Sequence, residues 1–420
     1  MIRSAEIPDP GHLIAQLPGP AALAWVRRGE GLVGWGETAR ITLPAGEDRF
    51  TVAEKWLRSL LDTADTDDQV QAPGSGAVAF GSFTFDPASD GSVLVLPRVV
   101  LGRRQGRAWL TTIGDGDPAI PAVPVSGPGK VRWHDGSLTA PQWEQAVASA
   151  VASIRAGGLR KVVLARDLYA TTARPLDVRV LLHRLAARYP DCYTFACAGL
   201  AGATPELLIR RQDAEISALV LAGTSPRGAD PAEDRALGAA LLTSAKNTEE
   251  HAYAATGVRE ALAPLCAELT ADPRPFLLRL ANVQHLATSV TGRLAGRPAW
   301  NGNGNGGAPS ALAIAAALHP TAAVCGTPAE TAMELIRELE GMDRGRYAGP
   351  VGWVDGHGNG EWGIAMRCAE LEGNGEAGGS SRARLFAGCG IVAGSDPAAE
   401  LAEAQAKFRP MQDALEGRDL

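Results

Sequence analysis

The sequence has no long apolar run, which excludes a helical membrane protein. No stretch approaches the ~20 consecutive apolar residues that a membrane-spanning helix needs. The amino terminus also lacks the basic and then apolar pattern of a secretory signal peptide. We therefore expect a cytoplasmic protein that does not associate with membranes.

Clusters of basic residues are lacking as well. The formal net charge is −7, and lysines and arginines are scattered along the chain. Proteins that bind nucleic acids concentrate their positive charge on one surface, so no nucleic-acid partner is expected here. The expected partner is a small molecule, bound by a monomer.

Cysteine is sparse, and none of the six cysteines has the close neighbour that a metal knuckle requires. Most of them lie in apolar stretches, so we interpret them as buried thiols. The rest of the composition is ordinary, with 45% hydrophobic and 21% charged residues among 420. This length allows one large core or two domains.

The sequence pattern changes near residue 130. Short apolar runs alternate with turn residues in residues 1–130, which predicts a β-rich amino-terminal part of the fold. Stronger helix signals occur in residues 131–420, the predicted catalytic core. Helices are expected after the capping Thr139, from about Pro231 to Leu262, and from about Pro328 to Glu340. The low-complexity segments 301–307 and 373–381 are predicted to be loops without a chemical role.

A helix near the carboxyl end is predicted to carry two carboxylates and one ammonium group on one face. Ser395 or Asp396 can cap it. Offsets of three and seven residues place Glu400, Glu403 and Lys407 on the same side. Such a face can hold a hard cation together with a substrate carboxylate. An exposed helix with a Glu403–Lys407 ion pair fits the local sequence as well.

Two residues in apolar settings are candidates for acid–base chemistry. Lys161 opens an apolar strand, and desolvation there would lower its pKa and suit it to act as a base. A strand-edge lysine that opposes aggregation is the alternative. Glu206 follows a proline and precedes three apolar residues, and burial would raise its pKa and suit it to act as an acid. An exposed turn glutamate is the alternative here.

Three more residues have two interpretations each. Arg367 lies in an apolar segment, where a buried charge requires either a substrate carboxylate or a protein carboxylate. His285 in an apolar strand fits a pocket wall or a hydrogen-bonded core position. Glu250 lies on the second predicted helix, where an ion pair with Lys246 is the alternative to a role in a site.

Ten ordered motifs within residues 135–415 resemble those of the chorismate-utilising enzymes, and within them the branch that forms isochorismate. The motifs are Lys161–Arg166, Thr204–Leu207, Leu221–Thr224, Glu249–His251, Asn282–Leu286, His319–Thr321, Tyr347–Gly349, Ala365–Arg367, Ala387–Ile391 and Glu400–Glu403. The resemblance implies an α+β fold in which two large antiparallel β-sheets with outer helices enclose a deep cleft.

The resemblance also implies a Mg²⁺ site. Glu250 and Glu403 would bind the ion directly and Glu400 through a water molecule, and the ion would hold the ring carboxylate of chorismate. Asn247 occupies a position where several relatives have an acidic residue. Asparagine can hydrogen-bond a metal-bound water but adds no negative charge, so Mg²⁺ binding could be weaker.

The substrate contacts follow from the same resemblance. Lys407 and the backbone amides near Gly388 and Gly390 would add to the ring-carboxylate site. Tyr347 and Arg367 would grip the enolpyruvyl carboxylate, with the guanidinium group making a bidentate contact. The other implied substrate-binding residues are Gly223, Thr224, His285 and Ala323.

The implied reaction adds water at C2 of chorismate while the C4 hydroxyl leaves. Lys161 would be the base and Glu206 the acid, which requires a neutral lysine and a protonated glutamate. Alanine at position 222 argues against a route with an amine nucleophile. Ala323 stands where lyase relatives tend to carry threonine, and it favours isochorismate as the final product. The alternative is a salicylate synthase, which also eliminates pyruvate.

Overall fold

The computed structural model describes residues 1–114, 122–296, 307–372 and 380–418. The loops predicted at 301–307 and 373–381 lie almost entirely outside these residues. Within them, the chain forms eight α-helices, 23 strands and two short 3₁₀ helices, at Leu13–Gln16 and Ala263–Leu265.

The α-helices are α1 (Arg49–Leu61), α2 (Ala140–Arg155), α3 (Val178–Arg188), α4 (Pro231–Thr243), α5 (Ala245–Leu262), α6 (Ala311–Leu318), α7 (Ala329–Leu339) and α8 (Pro397–Glu416). The strands are β1 (Ile2–Ile7), β2 (Leu23–Arg27), β3 (Glu30–Trp35), β4 (Ala39–Leu43), β5 (Thr66–Asp68), β6 (Val78–Ser82), β7 (Ser92–Leu96), β8 (Val99–Arg104), β9 (Arg107–Ile113), β10 (Val131–Asp135), β11 (Lys161–Leu176), β12 (Tyr193–Cys197), β13 (Leu200–Thr204), β14 (Leu207–Gln212), β15 (Glu215–Pro226), β16 (Cys266–Ala271), β17 (Phe276–Arg279), β18 (Val283–Leu294), β19 (Gly326–Thr327), β20 (Pro350–Asp355), β21 (Gly360–Ile364), β22 (Cys368–Leu371) and β23 (Ser380–Ile391).

The strands form two sheets. The larger has the order β10-β11-β23-β22-β13-β12-β2-β3-β8-β9-β1-β5, with β19 beside β11. The smaller has the order β16-β18-β15-β14-β21-β20-β6-β7-β4, with β17 beside β18. Neighbouring strands are antiparallel throughout the described residues except for the parallel pair β1 and β5. The expected α+β fold with two large antiparallel sheets is confirmed.

Strands from both sides of residue 130 share each sheet. In the larger sheet β2 pairs with β12, and in the smaller sheet β6 pairs with β20. The amino-terminal strands therefore extend the sheets that the later strands begin. The boundary at residue 130 stays a prediction.

The two largest of three hydrophobic cores in the described residues hold the sheets and helices together. The main core joins Trp25 and Phe195 of the larger sheet to Trp353 and Trp362 of the smaller one. The second core packs α3 and α8 on the larger sheet through residues such as Phe408. Each fully buried large apolar side chain stabilises the fold by about 1.5–3 kcal/mol, so the two cores fix the sheets around the space between them.

The single helix predicted from Pro231 to Leu262 is wrong, because the chain breaks at Ser244. Helix α4 ends at Thr243, and the Ser244 side chain accepts a hydrogen bond from the Asn247 N–H at the start of α5. Serine favours such a break because its hydroxyl satisfies an N–H group that the first helical turn leaves unpaired. The second segment can thus start in a new direction.

Five of the six cysteines are buried and Cys266 is half-buried, and none of the six forms a disulfide. This confirms the interpretation as thiols. None of the described helices has both the length and the apolar character needed to cross a membrane.

Candidate active site

A deep cleft of about 870 Å³, including its mouth, opens beside β11, β15 and β23 and beside helices α5 and α8. Thirteen of the fourteen residues predicted for the site line it. They are Glu206, Gly223, Thr224, Glu250, His285, Ala323, Tyr347, Arg367, Gly388, Gly390, Glu400, Glu403 and Lys407. The remaining residue, Lys161, lies directly behind this lining.

Lys161 begins β11, and its side chain is fully buried. The residue pairs with Thr327 of β19, so the interpretation as a strand-edge lysine is wrong. Its Nζ atom lies 3.1 Å from Oε1 of Glu250, although the angle is not that of a hydrogen bond. A buried ammonium group requires such a charged neighbour. The pair brings the predicted base and a predicted metal ligand together.

Glu206 lies just before β14 and is only 4% exposed, so the exposed-turn interpretation is wrong. Burial raises the pKa of its carboxyl group to about 8, although the positive charges of Lys161 and Lys407 and the Leu221 backbone N–H act in the opposite direction. Desolvation disfavours the charged carboxylate more than these neighbours favour it. Glu206 is therefore mainly protonated at neutral pH, as a general acid must be.

Each of three carboxylates in the cleft has an ammonium group as its partner. The N–O distances are 3.1 Å for Lys161–Glu250, 2.9 Å for Lys246–Glu400 and 2.7 Å for Lys407–Glu403. The alternative Lys246–Glu250 pair is wrong, because Lys246 extends from α5 to α8. The exposed-helix interpretation of α8 is also wrong, since Glu400 is buried and both glutamates face the cleft.

The donor atoms around α8 suit a hard cation. The possible ligand atoms of Cys389, Glu400 and Glu403 lie within 4.8 Å of one another. Two carboxylates suit Mg²⁺, whereas burial raises the pKa of the Cys389 thiol well above its ordinary value and keeps it protonated. Glu250 faces the cleft from α5. A Cβ atom on Gly390 would lie 2.2 Å from Oε1 of Glu250, so a side chain at this position would displace the carboxylate.

Lys407 connects α8 to β23. Its Nζ atom donates a hydrogen bond of 2.8 Å to the carbonyl oxygen of Gly388. Burial opposes ionisation of both Lys407 and Glu403. Their mutual attraction is stronger, so the pKa of Lys407 lies above its ordinary value and that of Glu403 below. Both groups are charged.

Arg367 lies between β21 and β22 in the left-handed backbone region, with φ of 49°. Among the described residues it forms no salt bridge, and its Nη2 atom lies 3.5 Å from Nε2 of His285. Burial lowers the pKa of the guanidinium group, although it stays charged at neutral pH. The cleft therefore contains a guanidinium group that no carboxylate of the described residues contacts in a salt bridge, although Glu403 acts on its charge from a greater distance.

His285 orients this region in its neutral form. Burial lowers its pKa to about 3. A guanidinium group can only donate, so Nε2 must accept from Arg367, and Nδ1 carries the proton and faces Thr224 Oγ1 at 3.1 Å. Thr224 lies opposite His285 in the β15–β18 ladder, next to a bulge at Gly223, where φ is +77°. Backbone and histidine together place Arg367.

Lys246, Arg344 and Phe386 are among the cleft residues that the sequence reasoning missed. The ring of Phe386 stacks on the predicted site residue Tyr347, with centroids 4.9 Å apart and planes inclined by 8°. A signal existed for Arg344, since Glu340 precedes it at i, i+4 spacing. Helical spacing favours an ion pair of Lys246 with Glu250, so the sequence does not predict the long-range contact of Lys246 with Glu400.

This fold and cleft are those of an enzyme that acts on a small organic anion. Residues 128–416 match the family model described as chorismate binding enzyme. Isochorismate synthase DhbC of Bacillus subtilis is 40% identical over 284 residues, which cover 65% of this chain and 67% of that protein. Isochorismate synthase MenF of the same organism is 32% identical over 381 residues, covering 84% and 77%.

The fold agrees with a solved relative. The structure of MenF, the menaquinone-specific isochorismate synthase from Escherichia coli, superposes with a TM-score of 0.77 at 26% identity, covering 99% of this chain and 95% of that one. The chain belongs to the chorismate-binding enzyme family. The resemblance that the ten motifs indicated is confirmed.

Proposed function

We propose that this protein is an isochorismate synthase, an isomerase that converts chorismate to isochorismate. The observation that carries the proposal is that Glu206, only 4% exposed, lines the same cleft as Glu250, the carboxylate paired with the buried Lys161 at 3.1 Å. Burial raises the pKa of the Glu206 carboxyl group to about 8, as an acid requires. An acid in the cleft wall and an amine directly behind it can supply and remove the two protons that the reaction moves. The names of the relatives support the same activity.

The charges of the cleft suit a dianion such as chorismate. Arg367 has no salt-bridge partner among the described residues, and its planar fork can bind the enolpyruvyl carboxylate through two parallel hydrogen bonds. Tyr347 lines the same cleft and would donate to that carboxylate. Lys407, with Gly388 and Gly390 beside it, would face the ring carboxylate.

In the proposed reaction, water attacks C2, the ring double bonds shift, and the C4 hydroxyl leaves. Lys161 accepts a proton from the attacking water and must be neutral at that moment. Glu206 donates its proton to the departing hydroxyl, which leaves as water. One water molecule is consumed and one is released, so substrate and product are isomers. Ala323 in the cleft wall supports isochorismate as the final product.

We propose that Mg²⁺ is the cofactor, held by Glu403 and Glu250 with Glu400 nearby. Ligand oxygens of Glu403 and Glu400 lie within 4.8 Å of each other, and Glu250 lines the same cleft from α5; carboxylate oxygens of this kind suit Mg²⁺. When bound, it would neutralise the ring carboxylate of the substrate and polarise it. Asn247 lines the same cleft, and its amide nitrogen donates to the Ser244 hydroxyl at 2.8 Å. Because an amide is neutral, Asn247 adds no charge to the site.

The test is to incubate the purified protein with chorismate and Mg²⁺ and to separate the products by liquid chromatography. Isochorismate should form, and Lys161→Ala should abolish it. Salicylate and pyruvate as the main products would instead establish a salicylate synthase. No conversion of chorismate by the Mg²⁺-loaded protein would refute both.

We also propose that the protein acts in the cytoplasm as a monomer and that its product supplies menaquinone or siderophore synthesis. Size-exclusion chromatography tests whether the protein is a monomer. Deletion of the gene tests which synthesis the product supplies, because the missing end product identifies the pathway.

A further inference from the structure

We propose that the buried ion pair of Glu340 and Arg344 positions two walls of the cleft for catalysis and thereby controls turnover rather than substrate affinity. This inference rests on the proposed function, because it concerns how the Lys161 strand is aligned with the wall that contains Ala323. Neither member of the pair is assigned a chemical step. Both are positioning residues.

The pair is almost completely shielded from solvent. The side chain of Arg344 is 2% exposed and that of Glu340 is 1% exposed. Nε and Nη2 of Arg344 donate to the two carboxylate oxygens, with 2.9 Å between Nε and Oε2. Burial raises the pKa of Glu340, whereas the arginine lowers it. A buried ion pair is tolerated only when well-aligned hydrogen bonds offset the cost of removing both charges from water.

The remaining hydrogen bonds of the pair go to the backbone of two different walls. Nη2 of Arg344 donates to the carbonyl oxygen of Val163 at 2.7 Å, and Nη1 donates to that of Val324 at 2.9 Å. Glu340 accepts from the N–H group of Ala165 at 2.7 Å. One ion pair therefore joins β11 to the turn that precedes β19.

These contacts replace a missing part of the sheet. The ladder between β11 and β19 contains only two residue pairs, Lys161 with Thr327 and Val162 with Gly326. Backbone hydrogen bonds flank these pairs on both sides, from the Arg160 N–H to the Thr327 carbonyl oxygen at 2.9 Å and, toward the cleft, from the Val163 N–H to the Cys325 carbonyl oxygen at 2.7 Å. Beyond the second of these bonds the two segments are bridged by the guanidinium group of Arg344. Its planar fork therefore sets the spacing of the two segments.

Both bridged segments carry site residues. Val163 lies two residues after Lys161, and Val324 directly follows Ala323; Val163, Val324 and Ala323 all line the cleft. The guanidinium group of Arg344 also lies 4.1 Å from the ring centroid of Phe85, which limits its movement. A displacement of about 1 Å between reacting groups can cost on the order of 10²-fold in rate. Of the groups that would bind the substrate carboxylates, Arg367 and Lys407 lie on other segments. The third, Tyr347, follows Arg344 by three residues, and its N–H donates to the Arg344 carbonyl oxygen at 3.1 Å, a backbone bond that neither substitution removes.

The test compares Arg344→Lys and Glu340→Gln with a matched control. Arg344→Lys keeps the charge but loses the fork, and Glu340→Gln keeps the shape but loses the charge. Arg346→Lys is the control, because Arg346 is also buried and donates to Glu370 at 2.6 Å and to the Ala198 carbonyl oxygen at 2.9 Å, but does not line the cleft. We expect kcat for isochorismate formation to fall at least tenfold in the first two variants, with KM within about threefold of wild type, whereas the control keeps its kcat.

Melting temperatures of all three variants separate positioning from folding. If Arg344→Lys does not fold, Glu340→Gln decides the outcome. Wild-type kcat in the folded variants, a rise in KM alone, or an equal loss of kcat in Arg346→Lys would overturn the inference while the proposed function stands. A wild-type protein that makes no isochorismate would refute the proposed function and the inference with it.

Discussion

Replacing Glu206 by glutamine should make the protein more stable than wild type at alkaline pH. Glutamine has the shape of a protonated glutamic acid and does not ionise. In wild type the buried carboxyl group has a pKa of about 8, compared with an ordinary value of 4.5. Between these two pH values the unfolded chain has lost the proton and the folded protein has kept it. Wild-type stability must therefore fall as pH rises through this window.

The size of the effect follows from the pKa difference. A difference of about 3.5 pKa units, at ~1.36 kcal/mol for each unit, corresponds to about 5 kcal/mol. The advantage of Glu206→Gln over wild type should thus grow by about 1.4 kcal/mol for each pH unit between pH 5 and pH 7, and level off near pH 8. The Leu221 N–H can still donate to the glutamine oxygen, so this contact should not change with pH.

Urea unfolding of both proteins at pH 5, 6, 7 and 8, in buffer with a chelator and without substrate, measures this difference. Glu215→Gln is the control, because the Glu215 side chain is 72% exposed and its substitution should shift stability equally at every pH. The same Glu206→Gln protein should lack isochorismate synthase activity throughout. A free-energy difference between Glu206→Gln and wild type that does not change from pH 5 to pH 8 would refute the reasoning, since Glu206 would then ionise normally in the folded protein.

Three further predictions concern the cleft. Arg367→Ala should raise KM for chorismate by about 10- to 100-fold, because a charge-assisted hydrogen bond contributes about 1.5–3 kcal/mol; steady-state kinetics measures this, and an unchanged KM would contradict the role in carboxylate binding. Glu403→Gln should abolish activity at every Mg²⁺ concentration in a titration, and it should lower the melting temperature because Lys407 loses its charged partner, while circular dichroism should still show a folded protein; an active variant would exclude Glu403 as a metal ligand. Gly390→Ala places a Cβ atom 2.2 Å from Glu250 Oε1 and should reduce kcat at least tenfold by displacing that carboxylate, whereas Gly394→Ala, whose Cβ meets nothing within 4 Å, should keep wild-type kcat.

The family and the set of cleft residues could be predicted from the sequence because short motifs contain them in order. Glu400, Glu403 and Lys407 share one face of α8 through helical periodicity alone, and the structure places that face in the cleft. The apolar neighbours of Glu206 in the sequence likewise predict its burial and the raised pKa that suits an acid. Both predictions depend on features that are local in the sequence, namely helical spacing and apolar neighbours.

The ion pairs could not be predicted in the same way. Helical spacing favours Lys246–Glu250, but the folded chain offers Lys246 the carboxylate of Glu400, 154 residues away, and pairs Glu250 with Lys161. Electrostatic attraction depends on distance in space, and spacing along one helix does not reveal a carboxylate that another segment brings nearer. The bridging function of Arg344 was missed for the same reason, because its partners Val163 and Val324 belong to separate segments.

The pairings β2–β12 and β6–β20 have a consequence for any attempt to shorten the protein. Expressing residues 131–420 alone would uncover the edges of β12 and β20, two strands whose residues are all buried in the complete chain. Unpaired apolar edges bind other chains and aggregate. Residues 131–420, which contain the motifs, thus depend on the amino-terminal strands for their solubility. During synthesis the ribosome has already made those strands by the time the cleft residues emerge.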